Sequence, residues 1–400
     1  MKVAFTLGWM LGVAILLTPP PAAAADAPPI TVVFRYDDYA GDVVDNVDMR
    51  LIDIFRARRL QLTMAIVPDF GYVPLSDEKA RIMRAAMDGG VVDAAQHGYT
   101  HDVLARIQGQ SIYYGSEFKG VHVIEQKHRI AEGRAFLEKS LGRRPDEFVP
   151  PYNSYDLTTL SVLEELGFEC LSSSLGGVVG TSTRLKMVPA TGNLQEVRRS
   201  VEWARTCAAG RPVLIVPLFH NYDFREHAAK PGPMTLDDFE KLLDWLAEQK
   251  DVRVLSIGQV CATTEDLGVE RYVANQALFD LAPRVPACLQ SRFPGCVYLT
   301  TDVAAGIRRQ WLFILTAIHL GIALVAGLVV WGVATLTLKR LVGLRRLCLA
   351  GATALALGTV AYGWPNRYST SRSLLIVTVL VGVCAGMWLA WWRQRHVRET

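Results

Sequence analysis

The chain has 400 residues, half of them apolar, and its 42 basic and 39 acidic side chains leave a net charge of +3. With no basic patch interleaved with aromatics, nucleic acid is not expected as a partner. None of the seven cysteines forms a Cys-x-x-Cys pair, so a thiolate zinc site is not expected either.

Residues 1–25 read as a secretory signal: Lys2, an apolar stretch through Leu17, three prolines and an alanine run closing near Ala25. Cleaved or retained as an anchor, this segment places the downstream chain outside the cytoplasm. Residues 28–262 then alternate strand-like and helical runs. Ile30–Tyr36 is extended, Val47–Arg59 has a helical period, Leu62–Val67 is extended, and Asp77–Met87 is helical. Val91–Ala95 leads into the first histidines. Val123–Leu141 is a helix stopped by Gly142, Phe148–Pro151 is short and extended, and Leu157–Leu166 is a helix closing at Gly167. Phe168–Ser173, Leu185–Pro189 and Val213–Phe219 read as strands, Leu236–Gln249 as an amphipathic helix, and Val252–Ile257 as the last strand. Such alternation predicts parallel strands with right-handed crossovers. About seven such units over roughly 230 residues predict an α/β fold, a distorted (β/α) barrel. No glycine-rich phosphate loop comes after the first strand, which disfavours an open dinucleotide-binding sheet.

Residues 263–307 carry Pro and Gly without a clear period and read as a spacer. The segment 308–398 is expected to be a membrane region of about three transmembrane helices: Trp311–Leu338, about Leu347–Trp364, and about Leu374–Trp392. Basic residues cluster at Lys339, Arg340, Arg345 and Arg346, and again at Arg393, Arg395 and Arg398. With both clusters cytoplasmic, the count of spans is odd and the N-terminal domain lies outside, periplasmic, in agreement with the signal. A lipid bilayer is thus one expected partner; no protein partner is identified. Cys288 and Cys296 flank a short loop and are either a local disulfide or two free thiols.

The chemistry-bearing residues stand at strand ends. Asp37 and Asp38 end the first strand, where both carboxylates reach one rim; one could ligate a metal while the other takes a proton from water. His97 and His101, four residues apart, suit a zinc-like cation. Capping acids and ordinary histidines are the plain alternative for each group alone; their coincidence at sister strand ends favours a site. His220 closes the most apolar strand, where an imidazole needs a polar reason to exist, such as general-acid work, and Asp223 stands where it could orient the ring.

Taken together, the Asp37-Asp38 pair, His97-x-x-x-His101, Pro151-Tyr152 and Leu218-x-His220 resemble the polysaccharide deacetylase (NodB-like) domain of the carbohydrate esterases, over roughly residues 30–260. The resemblance implies a distorted (β/α) barrel that removes N- or O-acetyl groups from glycans with a divalent metal, zinc foremost. It implies Asp37 as general base, Asp38, His97 and His101 as metal ligands, the Tyr152 N–H as an oxyanion donor and His220 as general acid. Pro151, Asn153 and Tyr39 are assigned to substrate contact. Tyr36, Tyr72, Tyr155 and Tyr222 also flank the motifs and offer faces for sugar rings or for ordinary packing. The sequence departs from the family pattern in three places. Tyr39 replaces a glycine, Gly98 replaces a serine, and Val149 stands where an arginine normally orients the base; Arg35, Arg143 or Arg144 would have to substitute. The family's fourth motif has no counterpart that can be placed. The expected function is a metal-dependent deacetylase acting on an extracytoplasmic acetylated polysaccharide. The competing expectation is a membrane-anchored glycan-binding protein that keeps the fold without turnover.

Overall fold

The computed structural model of the chain describes residues 30–43, 45–107, 110–113, 115–208, 210–227, 229, 231–293, 297–337 and 371–396. The expected signal (1–25), the second expected span (Leu347–Trp364), the basic cluster Lys339–Arg346, Arg398 and Cys296, with its alternatives of a bridge to Cys288 or a free thiol, lie outside these residues. The chain divides into two compact units, one within Met1–Gln276 and Pro294–Ala305, the other within Ala277–Phe293 and Gly306–Thr400.

In the first unit seven parallel strands form one curled sheet. Its order is Lys186–Met187, Cys170–Leu171, Glu147–Val149, Val92–His97, Leu62–Ile66, Arg35–Tyr39 and Leu218–Phe219. The two ends of this sheet are joined by residues 190–192. Ala190 N–H donates to Ser173 O (2.6 Å), Thr191 N–H to Val216 O (2.9 Å), and Leu218 N–H to Gly192 O (2.9 Å). The backbone bonding thus returns to its start, consistent with a distorted (β/α) barrel. A second, three-stranded sheet places Ile30–Val32 between Val213–Ile215 and Val252–Val254. It is the base of the same two strands that continue as Arg35–Tyr39 and Leu218–Phe219.

Strands buried on both faces suit a parallel sheet wrapped by helices: all of Leu62–Ile66 is buried. Helix Asn46–Arg58 begins where the Asp45 carboxylate accepts from Val47 N–H, helix Asp77–Asp88 where the Ser76 hydroxyl accepts from Lys79 N–H, and helix Val123–Leu141 ends at Gly142 with φ 72°. Under the first strand, Phe34, Phe55, Phe219 and Phe239 pack with ring centroids 5.4–6.2 Å apart.

Helix Val269–Phe279 lies within the segment read as a spacer and buries Tyr272 in the core, and one strand boundary gives way to the structure. Strand Val252–Val254 stops short of Ile257, where helix Ile257–Thr263 begins under a Ser256–Gln259 capping box.

Among the described residues, two helices are long and apolar enough to cross a membrane, spanning Thr301–Gly332 and Leu374–Arg393, the first of which starts in the first unit and runs on in the second. The first of these helices, Thr301–Thr337, starts ten residues before the expected Trp311, so the end of the supposed spacer is helical. The two helices meet through glycines. A Cβ on Gly382 would lie 2.3 Å from Ala323 O, and one on Gly386 2.2 Å from Gly327 O. His319 Nδ1 and Thr378 Oγ1 bond across the same contact at 2.8 Å.

Candidate metal centre

A β-bulge gives Asp37 and Asp38 separate directions. Strand Arg35–Tyr39 keeps register with its neighbour at Arg35↔Thr63 and Tyr36↔Met64, then resumes at Tyr39↔Ile66. One residue is therefore extra, and Asp38 takes the left-handed region at φ 68°. Such a conformation costs a non-glycine residue on the order of 1–3 kcal/mol and persists only where surrounding contacts fix it. Asp37 turns inward onto Arg35, which is fully buried: Nε meets Oδ1 at 2.8 Å and Nη2 meets Oδ2 at 2.5 Å. The Arg35 fork is steadied in turn by Ser172 O at 3.1 Å. Of the three arginines considered as substitutes, only Arg35 reaches Asp37; Arg143 pairs with Asp88 and Arg144 with Asp146.

Asp38 turns toward the histidines. Its Oδ1 lies 3.1 Å from His97 Nε2 and 3.1 Å from His101 Nε2. His97 ends strand Val92–His97 and is fully buried. Its Nδ1 lies 2.9 Å from Val149 O, a pure acceptor, so that nitrogen carries the proton. A neutral imidazole then presents its Nε2 lone pair to a carboxylate oxygen, which is repulsive unless a proton or a cation lies between them. One carboxylate and two imidazoles, with ligand atoms all within 4.8 Å, are a donor set that zinc-like ions take with a position left open. These three residues fit a divalent metal. Burial alone would raise the Asp38 carboxyl, but hydrogen bonds from His101 and His97, and then their charge, hold it well below the usual carboxylate range.

The histidine loop is held by a residue that sequence reasoning missed. Glu117, fully buried, accepts from Tyr99 N–H (2.8 Å) and Thr100 N–H (2.9 Å) on Oε1 and from His101 N–H (3.2 Å) on Oε2. Burial pushes its carboxyl up, and the Thr100 and Tyr99 amides pull it back. Gly98, at φ 65°, makes room for it: a Cβ there would lie 2.2 Å from Glu117 Oε2 and 2.6 Å from Pro151 Cγ. The departure from serine at position 98 thus has a steric cause. It was also the one available signal that another group occupies that space.

Tyr152 sits in the turn Pro151–Asn153 at φ 58°, its ring 4.5 Å from the His101 ring and its hydroxyl donating to His101 O at 3.1 Å. His220 Nε2 faces Asp38 Oδ2 at 3.9 Å, beyond bonding distance. Its other side is held by Asp223, whose Oδ2 accepts from His220 N–H at 2.8 Å and lies 3.4 Å from Nδ1. The Tyr222 ring stacks on His220 at 4.4 Å.

Of the three residues assigned to substrate contact, two are buried: Tyr39 and Pro151. Tyr39 is buried; its hydroxyl donates to Lys79 O at 3.1 Å and its ring lies 4.2 Å under the Lys79 ammonium. Pro151 is buried against the Gly98 backbone. Asn153 has its side-chain oxygen buried without a partner among the described residues. Tyr36 and Tyr155 are buried too, bonded to Asp48 and to Val178 O. Strand positions packed on both sides leave such rings no route to solvent. Tyr72 and Tyr152 are the exposed tyrosines of the group near His101.

With this geometry in view, residues 24–171 match the family model described as polysaccharide deacetylase. The match contains the acid pair, both histidines and Pro151-Tyr152, and ends before His220. Among solved structures, a Mycobacterium smegmatis chain assigned as a polysaccharide deacetylase is similar at 16% identity and TM-score 0.42, covering 61% of this chain and 92% of that one. A family 4 acetyl xylan esterase from Clostridium thermocellum with a cobalt ion is similar at 14% identity and TM-score 0.37, covering 58% and 90%. A CE4 family pseudoenzyme from Bacillus anthracis is similar at 13% identity and TM-score 0.37, covering 59% and 66%. No curated protein matches the chain.

Proposed function

We propose that this chain is a metal-dependent hydrolase that removes acetyl groups, N- or O-linked, from an extracytoplasmic polysaccharide. The observation that carries this reading is the meeting of Asp38, His97 and His101 within 4.8 Å, beside an Asp37 held by Arg35. A divalent ion bound by these three residues, zinc foremost, would lower the pKa of a water and polarise the acetyl carbonyl. Asp37, locked in one orientation by the two-point guanidinium contact, takes the proton from the attacking water. The Tyr152 backbone N–H is the donor for the developing oxyanion, a contribution of about 3 kcal/mol where such a donor is well placed. His220, oriented by Asp223, protonates the leaving amine or alcohol.

The inactive glycan-binding reading drew its support from the missing motif arginine. Arg35 supplies that guanidinium from the acid strand itself, which favours the enzyme. For location, the apolar N-terminal segment, the two apolar C-terminal helices and the basic clusters Lys339–Arg346 and Arg393–Arg398 support a multi-pass membrane protein with the barrel on the periplasmic side. Acetate release from N- and O-acetylated oligosaccharides, with and without a chelator, tests the function. Chelator-sensitive release is expected; no release from the metal-loaded protein would overturn it.

A further inference from the structure

At the end of the barrel opposite the metal centre, helix Ile257–Thr263 lies across the starts of the sheet strands. Ile257 N–H donates to Thr63 Oγ1 at 2.8 Å and Gly258 N–H to Asp93 Oδ2 at 3.0 Å. The next three strands present one row of side chains to the same helix. Glu147, Cys170 and Lys186 stand in register, and register partners in a parallel sheet carry their side chains to the same face. Both outer members of the row reach the helix: a Cβ on Gly258 would lie 2.5 Å from Glu147 Oε1, and the Lys186 ammonium donates to Cys261 O. The middle member, Cys170, is thereby directed at the helix between these two contacts. Cys261 stands one turn beyond Gly258, on the same side of the helix. Both cysteines are buried in one apolar cluster with Ile257 and Val260, and both are free thiols. Burial first, and then the Cys261 thiol, pushes the Cys170 thiol well above its ordinary value.

We propose that Cys170 and Cys261 are joined by a disulfide in the exported protein, a staple between strand Cys170–Leu171 and the helix that closes this end of the barrel. The proposal goes beyond the deacetylase reading and takes from it only the placement of the barrel outside the cytoplasm, where thiol pairs are oxidised. The oxidant is itself a disulfide, of a protein or of a small thiol. One cysteine thiolate attacks it, forming a mixed disulfide and releasing one thiol. The other cysteine then attacks the mixed disulfide, the Sγ–Sγ bond forms and the second thiol leaves. Two electrons and two protons pass from the cysteine pair to the oxidant, which is reduced to two thiols. In the folded barrel both cysteines are covered and Cys170 resists ionising. The exchange therefore belongs to folding, before the helix docks, and the finished bridge is shielded from reductants.

Non-reducing peptide mapping of the full chain tests this, with free thiols alkylated as the protein is taken from membranes. A peptide linking Cys170 to Cys261, lost on reduction, is expected. Location is scored separately, by labelling barrel lysines in spheroplasts with an impermeant reagent. Alkylated Cys170 and Cys261 in a labelled barrel, or either cysteine linked elsewhere, would overturn the bridge and leave the location standing. An unlabelled barrel would overturn the location. The bridge is then judged on the full chain unfolded in urea and refolded in detergent with oxidised glutathione, where linkage upholds the pairing and free thiols overturn it. A reductant should also lower the denaturation midpoint of wild type more than that of the double variant Cys170→Ala/Cys261→Ala; equal shifts would show that the pair holds no bond.

Discussion

Arg35 and Asp37 stand two residues apart on one strand, on the same side of it, and close on each other through two hydrogen bonds of 2.8 and 2.5 Å. The pair couples fold and chemistry: a buried charge is tolerated because it is matched, and the match fixes the direction of the carboxylate proposed as the base.

Arg35→Lys should separate these roles. A lysine keeps the charge but cannot span both oxygens. We expect kcat/KM for acetylated oligosaccharide to fall about a hundredfold with metal content retained, since small misplacements cost rate on that scale. Arg35→Ala should instead cost about 3–5 kcal/mol of stability in a denaturant titration, because it strands Asp37 in the interior. A wild-type rate in Arg35→Lys would show that the two-point contact is not needed.

Glu117→Gln should loosen the metal. The remaining carbonyl can keep the Tyr99 and Thr100 amides, but the new NH2 confronts the His101 N–H, donor against donor. Metal affinity, measured by competition with a chelating dye, is expected to drop about 10–100-fold. Undiminished affinity would reduce Glu117 to packing.

Gly98→Ala attacks the same clamp from the other side. The methyl would meet Glu117 Oε2 at 2.2 Å and force an alanine to φ 65°. Stability should fall by about 2 kcal/mol or more; a denaturation midpoint equal to wild type would refute the close fit.

His220→Gln should abolish turnover while leaving the metal in place, because His220 Nε2 is 3.9 Å from Asp38 Oδ2 and is no ligand partner. Metal lost along with activity would contradict the separation of ligands from general acid.

Glu147, at the start of its strand, is pushed up to about 8 by burial, then by Asp93 and Asp146. The folded state therefore holds a proton that the unfolded chain releases near its ordinary pKa of 4.5. That contribution to stability is complete below the unfolded value and is lost as pH rises through about 8. The melting temperature should decline between about pH 5.5 and 8.5 in wild type, and less steeply in Glu147→Gln. Identical slopes would remove Glu147 as the cause.

Much of this was legible in the sequence because parallel strands announce themselves as apolar runs and their functional groups stand at the ends. The meeting of Asp38, His97 and His101 was readable for that reason, and Arg35 was one of three arginines considered as a partner for Asp37. Glu117 was not readable, since it acts through backbone amides and belongs to no spacing pattern. The burial of Tyr39 was not legible either, because nothing in sequence shows which strand-end tyrosine is covered. Helix Val269–Phe279 was hidden by polar residues at core positions: Arg271 and Asn275 are buried, bonded to the carbonyl of Leu299 at 2.8 Å each. Helix Val197–Cys207 buries Val197, Val201 and Ala204, too few apolar positions for its period to stand out.

The most direct test of the metal centre is elemental analysis of the purified full chain after loading with zinc, beside the His97→Ala variant. About one bound ion per chain in wild type and none in the variant is expected of a single three-ligand site. A wild type that retains no metal, or a variant that retains as much, would contradict it.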